Sequence, residues 1–130
     1  MIVLDASVVV ELLTNGGLSA AIRNELAKCD EAFLAPHLID VEVVSAIRRL
    51  AAGQRIDVHR SAQFLADLAA LPAERYSHEP LIGRIWELRQ NFTAYDAAYI
   101  ALAEATKSTL YTCDEKLRRG HRTKVVVFKR

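Results

Sequence analysis

The chain has 130 residues, of which 52% are hydrophobic and 25% are charged, a balance typical of a soluble globular protein with one core. We therefore predict a single domain over residues 1–130. The formal net charge of +1 gives no strong overall attraction to nucleic acid. No apolar run approaches the ~20 residues that a membrane-spanning helix needs, which excludes a membrane-spanning protein.

The N-terminus and the cysteines both favour a cytoplasmic location. Residues 1–4 are apolar, but Asp5 interrupts them and no basic segment precedes them, so the pattern of a signal peptide is missing. Cys29 and Cys113 lie far apart and match neither a zinc-site spacing nor a disulfide framework. We expect free thiols in a reducing cytoplasm and no attachment to a membrane.

Apolar runs alternate with helical patterns along the chain. In chain order we predict a strand at 1–4, helices at 7–13 and 18–28, a strand at 32–35, helices at 38–50 and 58–71, a strand at 74–77, helices at 81–89 and 93–105, a strand at 109–111, a helical turn at 115–119 and a strand at 125–128. This alternation predicts a three-layer α/β/α sandwich with a mostly parallel central sheet. Ligand sites in such sheets lie outside the carboxyl ends of the strands.

Two acidic residues follow predicted strands. Asp5 comes directly after strand 1–4, and Asp114 comes shortly after strand 109–111. Each also suits the N-cap of the next helical segment, a structural role that needs no ligand. Ser7 can serve the same cap or donate a hydrogen bond to a neighbouring carboxylate.

A third acidic residue, Glu42, lies within an apolar helix face. Its neighbours at helical spacing are Leu38, Ile39 and Ala46. An uncompensated buried carboxylate costs several kcal/mol, so Glu42 needs a partner. A salt bridge with Arg49 and a bound cation are the two solutions that the sequence leaves open.

The fourth acidic residue, Asp96, has the same character. Tyr99 and Ile100 lie one helical turn away from it, on the face expected to meet the core. The structural alternative is a capping box, with Thr93 as N-cap and Asp96 at the third helical position.

Together these acids predict a cation site. Several carboxylates in one pocket repel each other and become protonated unless a cation lies among them. Oxygen ligands without a nearby Cys or His set favour Mg²⁺ or Mn²⁺ over zinc. Such ions ionise a bound water and stabilise the charge that develops on a phosphodiester. The spacing of the four acids in the sequence does not show that they meet in the fold, so a shared pocket is a hypothesis.

Four segments of the chain resemble the PIN domain, and especially the VapC-type toxins of toxin–antitoxin pairs. They are residues 2–7 (IVLDAS), 35–43 (APHLIDVEV), 95–104 (YDAAYIALAE) and 110–117 (LYTCDEKL). Each segment alone is a weak signal, whereas their ordered combination is specific.

The resemblance implies hydrolysis of RNA to a 3′-hydroxyl and a 5′-phosphate, with acidic residues holding one or two divalent metal ions. Asp5, Glu42, Asp96 and Asp114 match the acidic quartet of the family, and Ser7 and Thr112 match its supporting hydroxyl positions. Asp5, Asp96 and one further carboxylate are assigned to the metal. Either Glu42 or Asp114 is left to orient the attacking water.

The resemblance also implies partners. The family forms homodimers and is inhibited by a VapB-type antitoxin, in a toxin–antitoxin hetero-oligomer. Trp86, Phe64 and Leu65 are candidates for such contacts, but we predict that each packs in the core. The basic C-terminal segment from Lys116 onward suits phosphate binding and a solvated surface equally well.

Several other functions remain as alternatives. A haloacid dehalogenase-type phosphatase needs a second aspartate where this chain has Ser7, and a phosphoacceptor receiver domain needs an acidic pair after the first strand. A PIN-type RNA-processing nuclease without an antitoxin and a PIN domain that only binds RNA also remain.

Overall fold

Five strands and six α-helices alternate along the chain in the computed structural model, which describes residues 1–130. The strands are β1 (Ile2–Leu4), β2 (Phe33–Pro36), β3 (Ala73–Tyr76), β4 (Thr109–Thr112) and β5 (Val125–Val127). The helices are α1 (Ala6–Leu13), α2 (Ser19–Ala27), α3 (Leu38–Ala52), α4 (Ser61–Ala69), α5 (Ile82–Glu87) and α6 (Ala94–Thr106). Short 3₁₀ turns lie at Val58–Arg60, Glu79–Leu81 and Glu115–Arg118.

The strands form one sheet in the order β3-β2-β1-β4-β5, and every neighbouring pair is parallel. The predicted three-layer α/β/α sandwich is thereby confirmed, with a sheet that is wholly rather than mostly parallel. β1 lies at the centre between β2 and β4, and its three residues are fully buried. The carboxyl ends of β1 and β4 therefore meet at one edge of the sheet, directly before Asp5 and Cys113.

Helix α6 is enclosed by the rest of the molecule. Every residue from Ala97 to Ala103 is buried, and the helix contacts β1, β2 and β4 as well as α5. Four of these seven residues are alanines, whose small side chains let the helix approach the strands closely. A helix that is apolar on all sides is typical of the middle of a packed protein, and α6 carries Asp96 at its first turn.

The core prediction was right for Phe64 and wrong for Leu65 and Trp86. Phe64 is buried together with Leu68, one helical turn further along α4, whereas Leu65 is 47% exposed on the adjacent face. Trp86 is 65% exposed, and the Arg89 guanidinium covers its ring at 4.3 Å from the ring centre. Both side chains are therefore available to a partner.

The predicted helix at 58–71 is divided in two. A 3₁₀ turn at Val58–Arg60 precedes α4, and the Asp57 side chain caps this turn by accepting a hydrogen bond from His59 N at 2.9 Å. The other predicted elements are present, with ends that differ by a few residues. Cys29 and Cys113 are free thiols, as expected. None of the helices is long and apolar enough to cross a bilayer.

An ion pair between Arg84 and Glu104 joins α5 to α6. Arg84 binds Glu104 through two hydrogen bonds of 2.7 and 3.1 Å, and Arg122 N donates to the same carboxylate at 2.8 Å. These contacts, with Arg84 first, lower the pKa of Glu104. The stabilisation is therefore complete above the unfolded pKa of 4.5 and is lost as the pH falls through the lower folded pKa.

We expect Glu104→Gln to reduce the free energy of unfolding at pH 7 by about 1–2 kcal/mol, measured by urea denaturation. Glu87→Gln is the matched control, because Glu87 approaches the same arginine only at the surface, at 3.4 Å. Equal losses in the two variants would contradict the assignment.

Candidate functional site

Asp5 is a buried carboxylate at the carboxyl end of β1. Its side chain is the N-cap of α1 and accepts from Val8 N at 3.2 Å. Ser7 Oγ donates to Asp5 Oδ1 at 2.5 Å, and Thr112 Oγ1 donates to the other carboxylate oxygen. Asp5 is thus an N-cap, as its structural alternative required, and it also lies at the strand edge where ligand sites occur.

Ser7 and Thr112 connect the ends of β1 and β4. Ser7 Oγ accepts a hydrogen bond from Cys113 N at 2.9 Å, and Thr112 Oγ1 accepts one from Asp114 N at 3.0 Å. Each hydroxyl therefore donates to Asp5 while it accepts from the segment that follows β4. The two hydroxyl residues hold the Asp5 carboxylate and the Asp114 backbone in a fixed relation.

Burial raises the pKa of Asp5 to about 6. Hydrogen bonds from Ser7, Thr112 and Val8 N favour the charged form and lower this pKa, whereas the carboxylate of Asp96 raises it further. Loss of hydration is the larger effect. In the absence of a cation, Asp5 is held in the folded chain at a cost that its hydrogen bonds only partly offset.

Glu42 lies on α3 and faces Tyr99 of α6. Glu42 Oε1 and the Tyr99 hydroxyl are both buried, and neither has a hydrogen-bond partner. Burial raises the pKa of Glu42, the nearby Tyr99 hydroxyl lowers it, and Asp96 raises it. The predicted alternative of a salt bridge with Arg49 is not formed, since Arg49 Nη1 donates to Ser45 Oγ instead, at 3.0 Å.

Asp96 and Asp114 lie at the starts of helical segments. Thr93 is the N-cap of α6 and accepts from Asp96 N at 3.1 Å, as the predicted cap requires. Asp114 caps the turn at Glu115–Arg118 by accepting from Lys116 N at 2.9 Å. Lys116 Nζ lies 4.0 Å from Asp114 Oδ2 and is largely exposed.

Asp96 interacts electrostatically with each of the other three acids. Its charge raises the pKa of both Asp5 and Glu42, and Asp114 raises the pKa of Asp96 after burial, which has the larger effect. Such effects act over several ångströms in a buried site, so the carboxylates share one electrostatic environment. The fold thus places the four predicted acids near the carboxyl edge of the sheet, with Ser7 and Thr112 in direct contact with Asp5.

No group of three His, Cys, Asp or Glu side chains is arranged to hold a metal ion in this structure. The acidic group nevertheless fits a hard divalent cation, because its donors are all oxygen and Glu42 Oε1 is buried without a partner. A magnesium ion keeps several waters and needs only one or two carboxylates, so a closed cage is not required. Asp5, Glu42, Asp96 and Asp114 are the residues that would hold it.

Two features of the site were missed at the level of sequence. The Tyr99 hydroxyl faces Glu42, and Lys116 lies at the opposite end of the acidic group, beside Asp114. Tyr99 had a detectable signal, because a tyrosine on a buried helix face needs a polar partner for its hydroxyl. Lys116 had none, since it is one of many exposed lysines and arginines.

A groove of about 330 Å³ opens beside the acidic group, between α1 and α3. Its lining includes Ser7, Glu11, Glu42, Arg49 and Cys113. Glu42 is the member of the acidic group that lines this groove, so the groove gives solvent access to the Glu42 side of the group.

Comparisons with known proteins agree on the family. Residues 2–122 match the family model of the PIN domain. The chain is 39% identical to Ribonuclease VapC12 of Mycobacterium tuberculosis over 121 residues, covering 93% of this chain and 92% of that protein. It is 41% identical to Ribonuclease VapC9 of the same species over 117 residues, covering 90% and 88%.

Solved structures with the same fold include two toxins. The crystal structure of Mycobacterium tuberculosis VapC20, a Sarcin-Ricin loop cleaving toxin, superposes with a TM-score of 0.71 at 14% identity, covering 90% of this chain and 92% of that one. A toxin–antitoxin complex from Klebsiella pneumoniae gives a TM-score of 0.68 at 18% identity, covering 97% and 96%. The predicted resemblance is thereby confirmed, and the chain belongs to the PIN-domain family, among the VapC ribonucleases.

Proposed function

We propose that this protein is an endoribonuclease that hydrolyses RNA phosphodiester bonds with the help of Mg²⁺ or Mn²⁺, and that it is the toxin of a toxin–antitoxin pair. The observation that carries the proposal is the acidic group at the carboxyl edge of the sheet, linked through Asp96, in a chain of the VapC ribonuclease family. Family membership decides against the phosphatase and receiver alternatives.

In this proposal the acidic and hydroxyl residues have different roles. Asp5 and Asp96, with one further carboxylate, hold the cation, and Ser7 and Thr112 keep Asp5 in position through their hydrogen bonds. Glu42 or Asp114 orients the water that attacks the phosphorus atom. A divalent cation held by these residues would supply two things: a lower pKa for that water and stabilisation of the charge of the transition state. Cleavage leaves a 3′-hydroxyl and a 5′-phosphate.

The proposed partners are a VapB-type antitoxin and a second copy of the chain. Exposed apolar side chains on α4 and α5 support this part of the proposal, because Leu65, Ile82 and Trp86 are each about half exposed or more. Phe64 is buried and is therefore not available for contacts with a partner. An RNA-processing nuclease without an antitoxin is the alternative, and a small neighbouring gene encoding an antitoxin would decide against it.

The test is a titration of Mg²⁺ and Mn²⁺ into the purified chain, freed of any antitoxin, with structured RNAs as substrates. We expect cleavage that depends on the metal, stops with EDTA and is lost in Asp96→Asn. The matched control is Asp67→Asn, which changes a carboxylate on α4 that hydrogen-bonds only to Gln63.

Three outcomes would contradict the proposal. Cleavage that survives both EDTA and Asp96→Asn would indicate a contaminating ribonuclease. RNA binding without cleavage, with Mn²⁺ present and a panel of RNAs, would indicate a binding-only PIN domain. Metal-dependent cleavage at full rate in Asp96→Asn would remove the acidic group from the reaction.

A further inference from the structure

A second groove, which shares Glu42 and Arg49 with the first, lies between α3 and the start of α6. Its volume is about 370 Å³, which is within the range of about 300–1,000 Å³ typical of small-ligand sites. Glu42 forms part of its wall, so the groove ends at the acidic group. It is lined by Leu38, Val41, Glu42, Ser45, Arg49 and Tyr95.

Arg49 is the only cation in this groove. It makes no ion pair with a carboxylate, and its one side-chain hydrogen bond goes to Ser45 Oγ at 3.0 Å, which orients the guanidinium along α3. Its charge also lowers the pKa of Glu42, so it lies near the acidic group. An arginine with free donors beside an acidic site suits a phosphate, because its fork matches phosphate oxygens.

Tyr95 is the only aromatic residue in the groove. Its side chain is 60% exposed, and it directly precedes Asp96 at the first turn of α6. An exposed aromatic ring offers a stacking surface to an unpaired base, and every base can use it. The groove thus combines a phosphate-binding group and a base-stacking group beside the same acidic residue.

We propose that this α3–α6 groove binds one nucleotide of the RNA next to the cleaved bond, with Arg49 contacting its phosphate and Tyr95 stacking against its base. The inference rests on the proposed ribonuclease function, which supplies the RNA. It adds a site that positions the strand and that shares Glu42 with the acidic group. Neither residue is given a chemical role in bond cleavage.

RNA binding tests the role of Arg49. A short fluorescein-labelled single-stranded RNA is titrated with protein in the non-cleaving Asp5→Asn background, at several salt concentrations. Each phosphate contact on a single strand contributes about 0.7 to the slope of log affinity against log salt. We expect Arg49→Gln to reduce the slope by about 0.7 and the affinity at 0.1 M salt by about 5-fold. Arg49→Lys is expected to keep the slope.

The matched control for charge is Lys107→Gln. Lys107 is exposed and lies just before β4, at the opposite edge of the sheet from the acidic group. We expect this variant to keep the slope of the parent protein. Equal slopes for Arg49→Gln and Lys107→Gln would overturn the phosphate contact.

Tyr95 is tested with the same RNA. We expect Tyr95→Ala to weaken binding by roughly 5- to 100-fold and Tyr95→Phe to bind like the parent, because the ring and not the hydroxyl stacks. In the cleavage-competent protein, both Arg49→Gln and Tyr95→Ala are expected to raise KM more than they lower kcat. A fall in kcat alone would assign them to the chemistry and overturn the inference.

Two further results keep the inference distinct from the proposed function. If the wild-type chain neither binds nor cuts RNA, the proposed function fails. If it cuts RNA and the groove variants bind normally, only the groove assignment fails. A changed molecular mass of Arg49→Gln or Tyr95→Ala in light scattering, with RNA affinity unchanged, would assign the groove to a protein contact and overturn the RNA site.

Discussion

Asp5→Asn is expected to lower RNA cleavage by ~10²-fold or more and, at the same time, to stabilise the metal-free protein. The loss of activity follows from removing a charged ligand at the centre of the proposed site. The gain in stability follows from burial, which raises the pKa of Asp5 from 3.8 to about 6. This difference corresponds to roughly 3 kcal/mol at pH 8, as an upper limit.

The stability of the metal-free protein should change with pH in a direction that follows from the raised pKa of Asp5. Between pH 4 and 6 the folded state binds more protons at Asp5 than the unfolded state does, so the stability of the metal-free wild type rises as the pH falls through this range. Asparagine removes that dependence. Urea denaturation in EDTA at pH 8 and pH 5 should show Asp5→Asn more stable than wild type at pH 8, with a smaller difference at pH 5.

Asp30→Asn serves as the control, because Asp30 is exposed to solvent between α2 and β2. It should change neither cleavage nor stability by a measurable amount. If Asp5→Asn destabilises the metal-free protein at pH 8, the N-cap and hydroxyl contacts of Asp5 outweigh its burial, and the charged form is not a cost to the fold.

Thr112→Val is expected to lower cleavage by roughly 10- to 100-fold, the range typical of residues that orient metal ligands. Thr112 is fully buried, and its hydroxyl donates to Asp5 and accepts from Asp114 N. Valine has the same shape but removes both contacts, which leaves the Asp114 amide without a partner. The free energy of unfolding should therefore fall by about 1–3 kcal/mol.

Thr112→Ser separates the hydroxyl from the shape of the side chain. Serine keeps the hydroxyl, so we expect near wild-type cleavage with a modest loss of stability from the missing methyl group. Cleavage and a calorimetric titration of Mn²⁺ measure the two effects separately. A Thr112→Val variant that binds Mn²⁺ and cuts RNA normally would show that the link between β1 and β4 is dispensable.

The sequence was sufficient for the parts of the fold and site that depend on local pattern. A buried apolar run that ends at Asp5 predicts a strand whose carboxyl end presents an acid, and the same holds for Asp114 after β4. Thr93 as the N-cap of α6 also follows from local chemistry. The position of Glu42 within an apolar stripe was enough to predict that it faces inward.

Features that depend on how elements distant in the sequence pack together could not be predicted from local sequence patterns. The contact between Glu42 and Tyr99 depends on where α3 and α6 approach each other, and the sequence contains no measure of that geometry. Trp86 was assigned to the core because it is large and apolar, but α5 has only six residues and its outer face is uncovered. Whether such a face meets solvent or a partner is a property of the assembly.

The position of β1 has a consequence for synthesis on the ribosome. Asp5 is made more than a hundred residues before Thr112, which fixes its carboxylate, and before Asp114. β1 can pair with β4 only when the chain beyond residue 112 is available, so this contact closes a loop of more than a hundred residues. At typical rates of about 5–20 residues per second, the acidic group stays incomplete for roughly 5–20 s after Asp5 has been made. The order of the strands along the chain therefore keeps the acidic group incomplete until the segment after β4 has been made.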